Sequence, residues 1–584
     1  MHLDKFPKLS SAIEKAFQGV HDLKVMPSMR SMQFAGDAIL KNNARLFNCS
    51  FSPINDTKVF SEALFLLLSG VGFGFSVQKR HVSQLPKIQQ PREEGVYVAH
   101  DSIIGWADAL NALMEAYFFG KVKPIFDLTK IRPKGSYLVT TAAKAPGPEP
   151  LRAMLVLVEE RLKQAVGRQL TPLEVHDIVC IVSDSVLSGG IRRSALISLF
   201  DKDDEEMLRC KHGQWWDAHP YRARANNSAI LDRATTKEEE FDYIYKMCKE
   251  SGSGEPGFYW TNNLDWGTNP CVEIGLRPTQ FCNLTTVNQS NIKDKKDFFS
   301  RIHAATLIGT IQASYTDFHY LRPCWKETTD LDALLGVSFT GIADGNGVVT
   351  SEWLREGAEF AKKINEEFAK KIGINPAARV TAVKPEGSAS CVLSSSSGIH
   401  SRHSDYYLRR VRMNKDDALT KYLESVMPEL VEDDVMSATG SVVTIPQESP
   451  SNSITRHSET AMSLFERSMN YNKNWVDNGH RNGDNKHNVS VTISMKDEDW
   501  DLLKKPMWEQ RNVYNGISLL PFSDANYQQM PFEDCTKQKY EELSKLVTKI
   551  DLTLVTEAED NTERQEQLAC TGPMGCEWTG ASSK

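Results

Sequence analysis

Residues 268–288 read TNPCVEIGLRPTQFCNLTTVN, and the interpretation of the whole chain starts from them. Asn269, Cys271 and Glu273 stand at alternate positions. An extended backbone therefore sends an amide, a thiol and a carboxylate out on one side, facing one small volume. Cys282 follows eleven residues after Cys271, far enough to return on a neighbouring segment. That spacing is too wide for the C-x-x-C of a zinc ribbon or a thioredoxin motif. Taken alone, two such cysteines also read as buried small hydrophobes.

Composition narrows the class. The chain has 584 residues, 40% hydrophobic and 25% charged, which is the balance of a globular protein with a large core. A formal net charge of −8 speaks against a nucleic-acid-binding surface, so a phosphate-bearing ligand has to be held by local donors. The N-terminal MHLDKFPKLSSAIEKAF has no apolar core segment of the secretory kind. The most apolar run, Ala63 to Phe75, falls short of the roughly 20 residues that span a bilayer. A cytoplasmic protein with neither membrane nor nucleic-acid partner is expected. Eleven cysteines without regular spacing argue against a secreted disulfide framework and for reactive thiols.

Patterning along the chain alternates helix and strand. Residues 1–48 read as a short helical lead-in with an apolar face through Phe6, Leu9, Ile13 and Phe17. Residues 55–68 read as a helix, and SGVGFGFSV (69–77) as a glycine-rich turn into a strand whose G-x-G-x-G lacks the dinucleotide-binding spacing. A helix capped by Thr171 and Pro172 runs to Gly189, followed by a buried strand IRRSALISLF. Further helices are expected near 237–251, 297–315, 351–372 and 537–552, and strands near 336–344 and 379–383. Such repeated βα alternation predicts a mainly parallel α/β sheet. After residue 552 the polar TEAEDNTERQEQ leads to Cys570 and Cys576, as in a tethered tail. Its stretch from Glu557 to Thr571 spans about 50 Å when extended, enough to enter an active site of the same chain.

N-x-C-x-E followed by F-C-N-L resembles the finger loop of ribonucleotide reductases. FNCSF around Cys49, SGVGFGFSV, DSIIGWADAL (101–110), KIRPKGS (130–136), GGIRRSA (189–195), GEPGF (254–258), GVSFTGIAD (336–344), KPEGSAS (384–390) and SSSSGIHSRHSDYYLRR (394–410) fall in the family's order. DSIIGW, KIRPKGS and GGIRRSA are similar to the adenosylcobalamin-dependent class, particularly its monomeric branch. The resemblance implies a ten-stranded α/β barrel of two five-stranded parallel halves, with a central finger loop carrying the radical cysteine. It divides the chain into a lead-in (1–48) without the ATP-cone many members carry, a catalytic barrel (49–552) and a redox tail (553–584). Overall control by ATP and dATP is therefore not expected.

The chemistry implied is replacement of a ribose 2′-OH by hydrogen, supplying deoxyribonucleotides for DNA synthesis. A thiyl radical on Cys271 removes the 3′ hydrogen, Glu273 takes the 3′-OH proton and Asn269 holds the sugar. Cys49 and Cys282 supply the reducing equivalents and finish as a disulfide, which asks for Cα atoms about 4.4–6.8 Å apart. Cys570 and Cys576 then re-reduce it by exchange, recharged by a thioredoxin-like dithiol. Adenosylcobalamin is the implied radical source. The histidine-ligation motif D-x-H-x-x-G is absent from the sequence, as expected for this class. No protein-held metal is expected, and Mg2+ only as a companion of bound nucleotides.

KPEGSASCVL is the expected phosphate site, through Pro385, Glu386, Gly387, Ser388, Ala389 and Ser390 at what reads as a helix N-terminus. Glu386 stands where the family often has a small polar residue, and its carboxylate is expected to point away. Asp101 and Ser102, with Lys130, Arg132 and Lys134, resemble the family's site for a deoxynucleotide specificity effector. Asp-Ser ahead of Trp106 also reads simply as an N-cap. The Cys49–Cys271 interval is too short for the insert that completes this site in monomeric members, so the expectation is a monomer that an effector drives to a homodimer. His400 and His403 form H-x-x-H, read as polar contacts in a serine-rich turn rather than as metal ligands. Triphosphates are the favoured substrates. Two other readings stand beside this one. A class I-type catalytic subunit would need a separate radical-generating partner, with Tyr406 and Tyr407 in its electron path. A non-enzymatic nucleotide-binding protein would use its cysteines only for packing.

Overall fold

The computed structural model describes all residues except 139–142, 189–190, 193, 346, 416, 436, 438–439, 523–526 and 556–584. Cys570 and Cys576 of the expected redox tail thus lie outside the described residues, as do Gly189, Gly190 and Arg193 of GGIRRSA.

The framework is two runs of parallel strands. In the first, β1 (Cys49–Pro53) pairs with β2 (Gly72–Ser76), β2 with β3 (Leu196–Asp201), β3 with β4 (Ala225–Asp232), and β4 with β5 (Gly257–Thr261), all parallel. A short strand β6 (Gln280–Phe281) lies antiparallel to β1 and leads after two residues into β7 (Leu284–Asn288). The second run starts there. β7 pairs in parallel with β8 (Gly336–Thr340), Val337 bridges Thr381, Val383 bridges Val489, and β9 (Thr492–Met495) pairs in parallel with β10 (Gly516–Pro521). The runs meet where β5 and β10 pair antiparallel, Phe258 opposite Ile517. This is the α/β class with two parallel halves that the sequence led us to expect.

Local rules account for the connecting helices. α1 (Lys58–Leu68) joins β1 to β2 and buries nearly its whole surface. α2 (Ile103–Phe119) starts on Ser102, whose Oγ accepts from the Gly105 N–H at 2.9 Å. α3 (Pro172–Asp184) has a complete capping box, with Thr171 and Glu174 bonding each other's backbone N–H. α4 (Glu238–Glu250), α5 (Lys295–Gln312) and α6 (Ser351–Ile372) cover later crossovers, and α6 stops at Gly373 in a left-handed conformation. α7 (Asp497–Glu509) links β9 to β10.

Several boundaries differ from the sequence reading. The strand expected at 379–383 is reduced to isolated bridges. The helix expected at 537–552 covers only Lys537–Ser544 and has no fully buried residue. Ile191 and Arg192 leave the strand expected from 191 and pair instead with Leu187–Ser188. An antiparallel sheet of Tyr406–Asn414, Gly440–Glu448, Val431–Asp433 and Phe532–Asp534 was not foreseen and packs on its own small core of Leu423, Met427, Leu430 and Val443. Among the described residues no helix is long and apolar enough to cross a membrane.

The glycines of SGVGFGFSV make room on β2. A Cβ on Gly72 would lie 3.2 Å from both Cys49 Sγ and Pro270 Cγ, and one on Gly74 would collide with the Thr268 carbonyl. The 267–276 segment therefore crosses the strand at backbone distance, which only glycine permits.

Candidate active site

Residues 267–276 form a hairpin, with Gly267–Thr268 antiparallel to Gly275–Leu276. The extended backbone expected for Asn269–Glu273 is corrected here. The Val272 N–H bonds the Asn269 carbonyl at 2.9 Å, and Val272 sits at φ +66, so the chain turns and the simple alternation of side chains is broken. Cys271 is exposed at the tip, while Asn269 and Glu273 are buried on either side of it.

Backbone contacts hold this turn. The Ile274 N–H donates to Asn269 Oδ1 at 3.0 Å, which orients the amide so that it acts on the Glu273 carboxyl and the Cys49 thiol. The Asn488 N–H donates to the Glu273 carbonyl at 2.9 Å, and Asn488 Nδ2 reaches the carbonyls of Val272 and Gly516 at 3.1 and 2.9 Å. His487 Nδ1 accepts from the Gly275 N–H at 3.2 Å while Nε2 donates to the Leu335 carbonyl at 2.8 Å. Burial, with Arg379 nearby, keeps His487 neutral and suited to that paired role.

Cys49 and Cys282, 233 positions apart, are neighbours across β1 and β6. Ser50 and Phe51 oppose Phe281 and Gln280, and the Cys282 N–H continues the ladder to the Cys49 carbonyl at 2.9 Å. Directly opposed residues in an antiparallel pair have Cα atoms roughly 4.5–5.5 Å apart, inside the disulfide window. Both thiols are free and buried. The adjoining Cys282, then burial and Glu273, hold the Cys49 thiol well above its usual range.

Glu273 has a buried carboxyl whose Oε2 has no partner. Burial raises its pKa to about 7, against the opposing pull of the Asn269 amide, its own N–H and Lys384. Such a carboxyl can both take and return a proton near neutrality.

In KPEGSAS, Gly387, Ser388 and Ala389 have N–H groups that bond no group among the described residues, and Ser390 donates its N–H to the Glu386 carbonyl at 3.3 Å. The helix expected here is a single turn, Ala389–Val392, with Pro385 ahead of it. Glu386 does leave the loop, but inward: its buried carboxylate lies 2.9 Å from Lys384 Nζ and accepts from the Thr286 hydroxyl. The Lys384 charge acts on Glu273 and Cys271 as well, which brings this segment up to the hairpin.

Asp101 and Arg132 meet in an ion pair at 2.6 Å, far along the chain from the hairpin, whereas Ser102 is taken up as the N-cap of α2. Lys130 and Lys134 are exposed. His400 bonds the Ser397 carbonyl and the Thr492 N–H, and His403 faces Asp534, so the H-x-x-H pair splits between polar contacts. Tyr406 reaches Glu448 near the surface while its neighbour Tyr407 is buried. Sequence reasoning missed Asn488, His487, Thr286 and Lys384 as parts of this site. Lys384 alone carried a signal, as the first residue of KPEGSAS.

No family model matches the chain. It is 26% identical over 605 residues to the adenosylcobalamin-dependent ribonucleoside-triphosphate reductase of Euglena gracilis, covering 96% of this chain and 79% of that one. It is 25% identical over 652 residues to the protein of the same name from Lactobacillus leichmannii, covering 92% and 85%. A probable enzyme of that name from Dictyostelium discoideum is 25% identical over 598 residues, covering 92% and 75%. Among solved structures, a B12-dependent class II ribonucleotide reductase superposes with a TM-score of 0.78 at 22% identity, covering 91% of this chain and 86% of that one. Along nearly its whole length the chain is thus similar in sequence to adenosylcobalamin-dependent ribonucleoside-triphosphate reductases, and it shares the fold of a class II ribonucleotide reductase.

Proposed function

We propose that the chain reduces ribonucleoside triphosphates to 2′-deoxyribonucleoside triphosphates. The observation that carries this is the buried Cys49/Cys282 pair, set in direct opposition beside the buried Glu273 carboxyl and beneath a hairpin whose tip exposes Cys271. Cys271, oxidised to the thiyl radical, takes the 3′ hydrogen, and Glu273 takes the 3′-OH proton while the Asn269 amide holds the sugar. The 2′-OH leaves as water with a proton from one thiol of the pair. The second thiol supplies hydrogen to C2′, Cys271 returns its hydrogen to C3′ as Glu273 returns the proton to O3′, and Cys49 and Cys282 close as a disulfide. Two thiols oxidised balance one C–O bond reduced.

When bound, adenosylcobalamin supplies one-electron chemistry through homolysis of its cobalt–carbon bond. The arrangement fits it: Cys271 is the exposed thiol of the three, open to a radical generated outside the chain. Cobalt arrives in its own macrocycle, so no histidine or carboxylate set is asked of the protein. Gly387, Ser388 and Ala389 offer free N–H groups for the phosphates.

The Cys49–Cys282 disulfide is recharged through Cys570 and Cys576 by a thioredoxin-like dithiol. A deoxynucleotide effector binds near Asp101, Arg132 and Lys134. A second copy completes that effector site, since the neighbouring pair Val96 and Ile125, opposed on two short parallel strands, lies exposed. Sedimentation that finds one unchanged monomer with and without effector removes the second copy from the account. The central test incubates the pure chain with adenosylcobalamin, dithiothreitol and each ribonucleotide. Deoxynucleotide is expected. Turnover only after a metal-bearing protein is added, or nucleotide binding with no reduction, refutes the proposal.

A further inference from the structure

Behind the hairpin tip a buried carboxylate, Glu386, pairs with a buried ammonium, Lys384, and a second buried carboxyl, Glu273, lies in the field of both. Glu386 is bonded to Lys384 at 2.9 Å and to the Thr286 hydroxyl. Glu273, exposed to the field of the same Lys384, has no ion pair among the described residues and leaves Oε2 unpartnered. The backbone fixes this division. The Lys384 N–H bonds Ser338 Oγ and the Glu386 N–H bonds Ser397 Oγ, each at 2.9 Å, while Thr286 and Ser338 lie side by side on β7 and β8.

One cation cannot neutralise two carboxylates in so dry a site, and the one in direct contact takes it. We propose that Glu386 is a positioning residue for the reaction, holding Lys384 in a buried ion pair away from Glu273 and so setting the pH at which Glu273 takes a proton. The inference rests on reading Glu273 as the base. The other titratable groups facing Glu273 are Cys271 on its own loop and Cys49 on β1, with Cys282 beside it. His487, bonded on both nitrogens, is kept neutral. Lys384 is thus the cation whose charge acts on both carboxyls.

The test uses the full chain and two substitutions with opposite expected signs. Glu386→Gln keeps the side-chain size, removes the Glu386 charge that itself raises Glu273 and frees Lys384, so the infrared titration midpoint of the Glu273 carboxyl should fall by about one pH unit or more. The band is assigned by its loss in Glu273→Gln, and the acid limb of kcat/KM should follow it. Lys384→Met removes the cation and should move both midpoints upward. A purely structural role for the pair predicts lower kcat with the midpoints in place. Midpoints that stay put, or move the same way in both variants, overturn the inference. The infrared midpoint needs no turnover: shifts of the expected signs without deoxynucleotide formation would uphold the pairing and reject the reductase reading, and fixed midpoints with normal reduction would do the reverse. If Glu386→Gln does not fold, Thr286→Val weakens the hold on ionised Glu386 and should give a smaller downward shift. An unmoved midpoint there overturns the inference as well.

Discussion

Replacing Gly516 by alanine adds one methyl group at the place where the hairpin tip meets the seam between the two parallel runs. A Cβ there lies 2.5 Å from Val272 Cγ1 and 2.9 Å from the Phe258 carbonyl oxygen, whereas ordinary contact begins at 3.4 Å. Something has to move by about 1 Å. Phe258 is paired to Ile517 across the seam and resists. Val272, β-branched and at φ +66, cannot relieve the overlap by an easy change of rotamer, so the displacement passes to the turn and to Cys271 and Glu273 on either side of it. Misplacing reacting groups by 1 Å costs about a hundredfold in rate, and overpacking a core costs about 1–3 kcal/mol. The assay is the initial rate of deoxynucleotide formation at saturating substrate, with thermal unfolding on the same samples. Gly516→Ala should remain folded and lose about a hundredfold in kcat. Gly19→Ala is the control, because its Cβ meets only Val25 Cγ2 at 3.2 Å and Ala304 at 3.8 Å. A Gly516→Ala rate within about threefold of the unchanged protein would show that the tip does not need the space this glycine leaves, and the argument would fall.

Four further outcomes are expected. In a single turnover without reductant, peptide mapping should find Cys49 joined to Cys282, and Cys282→Ser should form neither that linkage nor deoxynucleotide. Glu273, at about 7, must be ionised to act, so kcat/KM should fall about tenfold per unit below pH 7 and level off above it. The same raised pKa favours folding at low pH and loses that contribution as pH rises from the unfolded value through about 7. Glu273→Gln should therefore be more stable to unfolding than the parent at pH 8, by up to about 3 kcal/mol, and show no gain at pH 4. Asp332 pairs with buried Arg379 at 2.6 Å and with Arg277 at 3.0 Å. Asp332→Asn leaves the Arg379 charge uncompensated and should cost about 3–5 kcal/mol in denaturant unfolding.

The sequence by itself determined the features that depend on near neighbours. The Thr171–Pro172 helix start, the helix at 351–372 and the glycine pattern of β2 could all be read from spacing, because caps, amphipathic faces and backbone clearance are local. Motif order further gave the fold class, the parallel halves and the three central cysteines. The tertiary structure alone decided how those pieces meet. The turn at Val272 is set by Asn488 and His487, more than two hundred residues away, which overrides the extended geometry that alternation suggests. The opposition of Cys49 and Cys282 depends on strand register, which spacing along the chain does not encode. Glu386 turns inward because Lys384 and Thr286 meet it in a space closed off from water. A buried charge takes its direction from the partners that fold around it, and those are known only once distant strands have paired.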